Sequence, residues 1–288
     1  MNKKLKNLLL VGAATVLAAC GNGADESTEN NTDVSNDTAE ETPTNLVVAS
    51  HLPPMTDIVE IAADVIEEPY TIELLEVTDN VQYNDAVQFK EAYASFAQHE
   101  PFMEQYNEAN DGNLVALQTI YDPIVGYYSP VYNSIDEIEE GAEVAIPSDK
   151  SNETRALLTL AEQDLIELDE NVAAIDVTLD DITANPLNLE FTSIDLLNLT
   201  AAYEDGVDLV FNLPTYIASI GLTPDDALFL ESEENTLFAL IVAVHEDNAD
   251  NEATKALIDA FTSQEVYDFL TELSDINHLY PAFESPAE

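Results

Sequence analysis

The chain has 288 residues, 46% of them hydrophobic, so it can bury a sizeable core. Against 58 Asp and Glu stand 7 Lys and Arg, for a net charge of -51. That balance excludes the basic footprint needed for nucleic acid or for anionic lipid headgroups. The single cysteine excludes a disulfide framework, and with 4 His it leaves little for a metal site. Disorder is the other reading of such acidity, but apolar runs recur from Leu46 to the C-terminus. The charge therefore reads as a solvated surface. Scarce Lys points to a saline habitat, where salt screens self-repulsion.

In chain order, Met1 to Lys6 is a basic n-region and Leu8 to Val16 an apolar h-region too short to span a bilayer as a mature helix. It ends in Leu17-Ala18-Ala19-Cys20, which resembles the bacterial lipobox; in that signal the cysteine is lipidated and becomes the mature first residue. The alternative is an ordinary signal peptide followed by a stray Cys, but the only cysteine of the chain stands at this position. Residues 1–20 are thus expected to be a lipoprotein signal peptide, and 21–45 a disordered acidic tether with almost nothing apolar. Membrane attachment is expected through the N-terminal lipid only.

Beyond the tether, strands and helices alternate. Strands are predicted at Leu46–Ala49, Thr71–Val77, Leu114–Gln118, Ile124–Tyr128, Val144–Pro147, Val207–Phe211 and Leu237–Val244. Helical spacing covers Met55–Glu67, Asp85–Tyr93, Glu153–Glu162 and Ala253–Leu273, the last broken near Ser263. The pattern predicts an α/β protein of about two domains with mainly parallel sheets.

No nucleophile elbow, P-loop, dinucleotide fingerprint or HExxH occurs. The nearest approach to a calcium loop, Asn107 to Gly112, has Ala109 at a ligand position. No enzyme, cofactor or metal is expected. Arg155 is the only Arg, placed between a strand end and the first turns of a helix. There it can take a carboxylate in bidentate fashion, with Ser151 or Asn152 capping the helix and lining the site. The alternative is an Arg paired with one of the many acids. His99, beside Gln98 and before Pro101, can donate to a ligand or be a buried His satisfied by backbone.

These stretches resemble the NlpA/MetQ family of substrate-binding lipoproteins. The resemblance rests on Val77-Thr78-Asp79-Asn80-Val81-Gln82, Gln98-His99-Glu100-Pro101-Phe102, Asp122 to Ser129, Ile146 to Asp149, Asn152-Glu153-Thr154-Arg155, Asn185-Pro186, Asp208 to Tyr216 and Pro281-Ala282-Phe283. It implies a two-lobed, periplasmic-binding-protein-like fold with a ligand cleft between the lobes. Lobe one would be 46–124 with 241–288, and lobe two 125–240. It further implies an ABC permease and its ATPase as partners, and a small-molecule carboxylate such as methionine as ligand. The ligand carboxylate would sit on Arg155, with His99, Asn152, Phe102, Asn80 and Asn212 around it. Substituting Arg155 would then remove binding and spare the fold. The sequence departs from the family pattern at Asn80, Ala97, Phe102, Leu213 and Leu240, losing two aromatic rings and two amides; Asn212, one position off, compensates only if Pro214 shifts its loop. A different carboxylate ligand such as a dipeptide, or a surface lipoprotein with a degenerate pocket, stays open beside methionine. Retention of Arg155 and His99 argues against the last of these.

Overall fold

The computed structural model describes residues 44–287. The signal peptide, the lipidation of Cys20 and the tether up to residue 43 lie outside them. The chain begins with β1 (Asn45–Ser50), α1 (Met55–Val65), β2 (Thr71–Glu76), α2 (Gln82–Gln88), β3 (Ala94–His99), α3 (Glu100–Asn110) and β4 (Leu114–Pro123). It continues through β5 (Gly126–Tyr128), β6 (Glu143–Pro147), α4 (Lys150–Glu162), β7 (Glu167–Leu168), β8 (Ile182–Ala184) and β9 (Glu190–Ile194). Then come α5 (Leu199–Glu204), β10 (Leu209–Asn212), α6 (Pro214–Ile217), β11 (Phe229–Leu230), β12 (Leu240–His245), α7 (Glu252–Phe261), α8 (Gln264–Asn277) and β13 (Leu279–Pro281).

Two sheets form two lobes. The first has the order β13-β4-β12-β3-β1-β2 and the second β11-β5-β10-β6-β9. In the first, β1 is buried on both faces. Leu46 and Val48 pack with Ile58 and Val59 of α1, while Ala49 packs with Tyr83 and Met103 on the other side. A strand covered by helices on both faces has no polar side, which is why Leu46 to Ala49 reads as an unbroken apolar run. The second lobe has its own core, in which Val144, Ile146, Leu157, Leu160, Val210 and Phe211 are buried.

The expectation of mainly parallel sheets is corrected. β1 is parallel to β2 and β3, and β6 to β9 and β10. The remaining pairs are antiparallel: β12 with β3 and β4, β13 with β4, β5 with β10 and β11, and β7 with β8 in a small sheet of their own. The cause is the route of the chain. β4 leaves the first sheet and β12 returns to it, so the two strands lie side by side in opposite directions.

Boundaries moved where polar residues join the ladder. The last tether residue, Asn45, opens β1 and exchanges side-chain hydrogen bonds with Thr71 and Glu73 of β2. β4 runs on through Gln118 and Thr119, polar residues that suggested a strand end. The second helix lies at 82–88 rather than 85–93, because the chain turns at Lys90, φ 59°, and the Tyr93 N–H bonds the Val47 carbonyl.

Gly126 lies between β10 and β11 where backbones approach closely. A Cβ there would stand 2.8 Å from the Phe229 carbonyl oxygen and 2.7 Å from Leu230 Cδ2. Gly126→Ala is therefore expected to destabilise the protein by about 1–3 kcal/mol, read from urea unfolding.

Candidate functional site

The two sheets meet at a narrow cleft with room for about 40 Å³. The first lobe contributes Met55, Asn80, Tyr83, Gln98, His99 and Phe102, together with Ala97 and Tyr121. The second contributes Asn152, Leu196, Leu213, Thr215 and Tyr216, and the crossing strands add Pro123 and Leu240.

Of the residues predicted for the site, His99, Asn152, Phe102 and Asn80 line the cleft. His99 caps α3, its Nδ1 accepting from the Phe102 N–H at 3.2 Å. Nε2 then carries the proton and donates to Asn152 Oδ1, 3.2 Å away in the other lobe. Asn152 Nδ2 donates onward to Asp149 Oδ1 at 2.9 Å. Burial, and then the nearby Arg155 charge, push the His99 pKa down to about 3, so the ring is neutral. His99 is thus a satisfied buried histidine that bridges the lobes, with no free proton for a ligand. Asp149, not Ser151 or Asn152, caps α4, accepting from the Asn152 N–H at 3.0 Å. Asn80 Oδ1 accepts from the Tyr216 hydroxyl at 3.3 Å, a second bond between lobes.

Asn212 is not a cleft residue. Its Nδ2 donates to Thr200 and its Oδ1 accepts from the Leu213 N–H. Side chains alternate along a strand, so a one-residue offset turns the amide away and leaves Leu213 facing the cleft.

Arg155 stands apart from these residues. It is fully buried behind the cleft rather than lining it. Its Nε donates to Glu231 Oε2 at 3.0 Å, and its Nη2 donates to Glu231 Oε1 and to the Pro123 carbonyl, 2.7 Å away. The carboxylate partner expected from a ligand is supplied by the chain itself. The guanidinium also lies over the ring of Phe238, 4.9 Å from its centroid, and the other ring contact of Phe238 is His99. Only Nη1 is left without a partner. Asp122 Oδ1 lies 4.0 Å from Nη2. Burial raises the Asp122 pKa to about 6; Arg155 opposes that rise and Glu231 adds to it. Neither Glu231 nor Phe238 carries a recognisable sequence signal: Glu231 is one acid among 58.

None of the side chains lining the cleft is charged, His99 being neutral. Among the described residues no cluster of His, Cys, Asp and Glu is placed to hold a metal ion, and no helix is long and apolar enough to cross a membrane.

Two α/β lobes joined by crossing strands, with a lined cleft at their junction, define a periplasmic-binding-protein-like architecture. The chain belongs to the NlpA lipoprotein family, whose profile matches residues 46–283. It is 33% identical over 279 residues to the methionine-binding lipoprotein MetQ of Bacillus subtilis, covering 96% of this chain and 97% of that protein. A nutrient-binding protein from Burkholderia cenocepacia, solved bound to methionine, superposes with a TM-score of 0.77 at 28% identity, over 83% of this chain and 100% of that one. A periplasmic substrate-binding protein of an ABC transporter from Coxiella burnetii gives 0.75 at 30% identity, over 82% and 100%.

The buried pair reverses the expected effect of replacing Arg155. Arg155→Ala leaves Glu231 and Asp122 as buried acids without their cation, and a loss of about 3–5 kcal/mol in urea unfolding at pH 7 is expected. A loss below about 1 kcal/mol would show that the pair contributes little. His99 adds a pH dependence. Its folded pKa of about 3 lies below the unfolded value of 6.5, so its neutral form stabilises the fold above pH 6.5. That contribution is lost progressively as pH falls from 6.5 towards 3, because the unfolded chain takes up the proton first. Asp122, whose folded pKa is raised, acts in the opposite sense, but equally in both proteins of a comparison. Between pH 7 and pH 5 the wild type should therefore lose more stability than His99→Gln, compared by denaturant titration at each pH.

Proposed function

We propose that this protein is the lipid-anchored, extracytoplasmic solute-binding component of an ABC importer. It binds methionine or a related amino acid in the cleft and delivers it to a permease and its ATPase. Cys20 carries the lipid, and the role is binding, not catalysis. Lobe one is 46–124 with 241–288 and lobe two 125–240, limits supported by the division of strands between the two sheets.

The observation that carries this reading is the cleft itself, in a chain whose family fold is that of relatives named for methionine binding. Its wall is apolar at Met55, Ala97, Leu196, Leu213 and Leu240, which suits a thioether side chain. Amides supply hydrogen bonds beside it. Asn152 gives one N–H to Asp149 and one lone pair to His99, and keeps one of each. Gln98 is fixed by a reciprocal pair with Asn84 and likewise keeps one N–H and one lone pair.

One observation favours a second reading within the same class. Glu231 already takes the Nε/Nη2 edge of Arg155 and the Pro123 carbonyl the second Nη2 proton, which leaves Nη1 as the one guanidinium nitrogen without a partner. A solute with further polar groups to engage the cleft amides, such as a dipeptide, is the second reading. The internal roles of Arg155 and His99 also mean that their retention no longer argues against a degenerate pocket.

Calorimetric titration separates these readings. The protein is unfolded and refolded in high salt to strip bound solute, then titrated with L-methionine. Micromolar or tighter binding is expected. No heat from a folded protein would remove methionine and move the search to dipeptides.

A further inference from the structure

Two hydrogen bonds between the lobes join residues that both line the cleft: His99 with Asn152, and Tyr216 with Asn80. They differ in burial. His99 and Asn152 are buried. Tyr216 and Asn80 are half-buried, and the neighbours of Asn80 in the chain, Asp79 and Val81, are exposed. The first pair therefore lies on the inner side of the cleft and the second at its mouth.

Tyr216 belongs to the second lobe but is seated in the first. It stands on α6, where its N–H bonds the Leu213 carbonyl and its own carbonyl accepts from the Ser219 hydroxyl at 2.7 Å. Its ring lies against that of His51, with 6.2 Å between centroids and a tilt of 47°. His51 follows β1, is buried, and is pinned by donation from Nδ1 to the Val77 carbonyl at 2.9 Å. The Tyr216 hydroxyl goes on to Asn80 Oδ1 at 3.3 Å. Asn80 sits just before α2, in a turn closed by the Val81 N–H on Asp79 Oδ1 at 2.8 Å. Burial raises the Tyr216 pKa, so the hydroxyl keeps the proton it donates. One side chain of the second lobe is thus held at two fixed points of the first.

The lobes cannot part at the mouth without withdrawing Tyr216 from His51 and breaking its bond to Asn80. Both partners of that bond are side chains of the protein, so it forms whether or not a solute is enclosed. We propose that Tyr216, docked on Asn80 and His51, is the latch that holds the cleft shut, a positioning residue that sets how long a solute is retained. The retention of solute rests on the solute-binding reading above; the closure of the lobes does not.

Two variants remove the bond from opposite lobes: Tyr216→Phe, which keeps the ring, and Asn80→Ala. Spin labels on Phe89→Cys in the first lobe and Val131→Cys in the second, both exposed positions, report the distance between lobes in solute-free protein. Each variant should move the open-to-closed ratio about threefold to tenfold towards open, the worth of one neutral hydrogen bond. The double variant should do no more than either single one, because all three lack the same bond. The off-rate of L-methionine, by stopped-flow, should rise by the same factor. An unchanged distance distribution, additive effects in the double variant, or an unchanged off-rate overturns the proposal. If the wild type fails to bind L-methionine, the methionine assignment falls by itself, and the distances still decide the latch.

Discussion

The junction of the two lobes depends on one buried ion pair. Arg155 extends from α4, in the second lobe, and its guanidinium is held by three segments that connect the lobes. Glu231 comes from the returning chain, the Pro123 carbonyl from the outgoing one, and Phe238 from the approach to β12. Glu231 in turn ties the two connections to each other: its Oε1 accepts from the Val125 N–H and its own N–H bonds the Val125 carbonyl. Removing two charges from water costs several kcal/mol per ion, so such a pair is poor insurance of stability compared with apolar packing. Its value here is geometric. A planar fork with its partners in place admits few arrangements, and Pro123, whose carbonyl it binds, is part of the cleft wall. The ion pair shapes the site from behind.

The same side of the cleft is joined by a neutral chain of hydrogen bonds. It runs from the Phe102 amide through the His99 ring to Asn152 and ends on Asp149, the cap of α4. Each member is set by the next. Asp149 orients the Asn152 amide, and that amide receives the only proton His99 carries. Burial first, and the nearby Arg155 charge second, keep the imidazole of this relay neutral. Two structures that look separate in the sequence, a lone Arg and a lone His, are thus one device. One fixes the crossing strands and the other holds the helix N-terminus across the cleft.

Much of the fold was legible because apolar runs and helical spacing report burial directly. Val48 and Ile58 of the first core and Val144 and Leu157 of the second lie in segments whose type was read correctly. Parallel against antiparallel pairing was not legible, since a buried strand looks the same with either neighbour; only the path of β4 out and β12 back decides it. For the site, residues placed by local motifs reached the cleft: His99 and Phe102 at a strand-to-helix junction, Asn152 in the first turn of α4. Arg155 was singled out for its rarity, which is a property of composition, and composition does not say what a side chain faces. Its partner is 76 residues away among indistinguishable acids, so the pairing exists only in three dimensions. Tyr121 was missed for a related reason. One of 12 tyrosines carries no signal until its residue is seen to be buried and to line the cleft.

The surface charge and the uncharged cleft are consistent with each other. With every described basic residue engaged, as in the pairs of Lys90, Lys150 and Lys255 with nearby Asp side chains, the exterior has no cation to spare. Such a surface repels free anions, and strongly so at low ionic strength, where the Debye length is tens of ångströms. At molar salt that length falls to about 3 Å, and the field of the surface barely extends beyond the first hydration layer. A zwitterionic solute carries no net charge and meets little barrier in either condition. The side chains that line the cleft are amides, hydroxyls and apolar groups, with none charged. A lining of this kind offers hydrogen-bond geometry and apolar fit, interactions that salt weakens least.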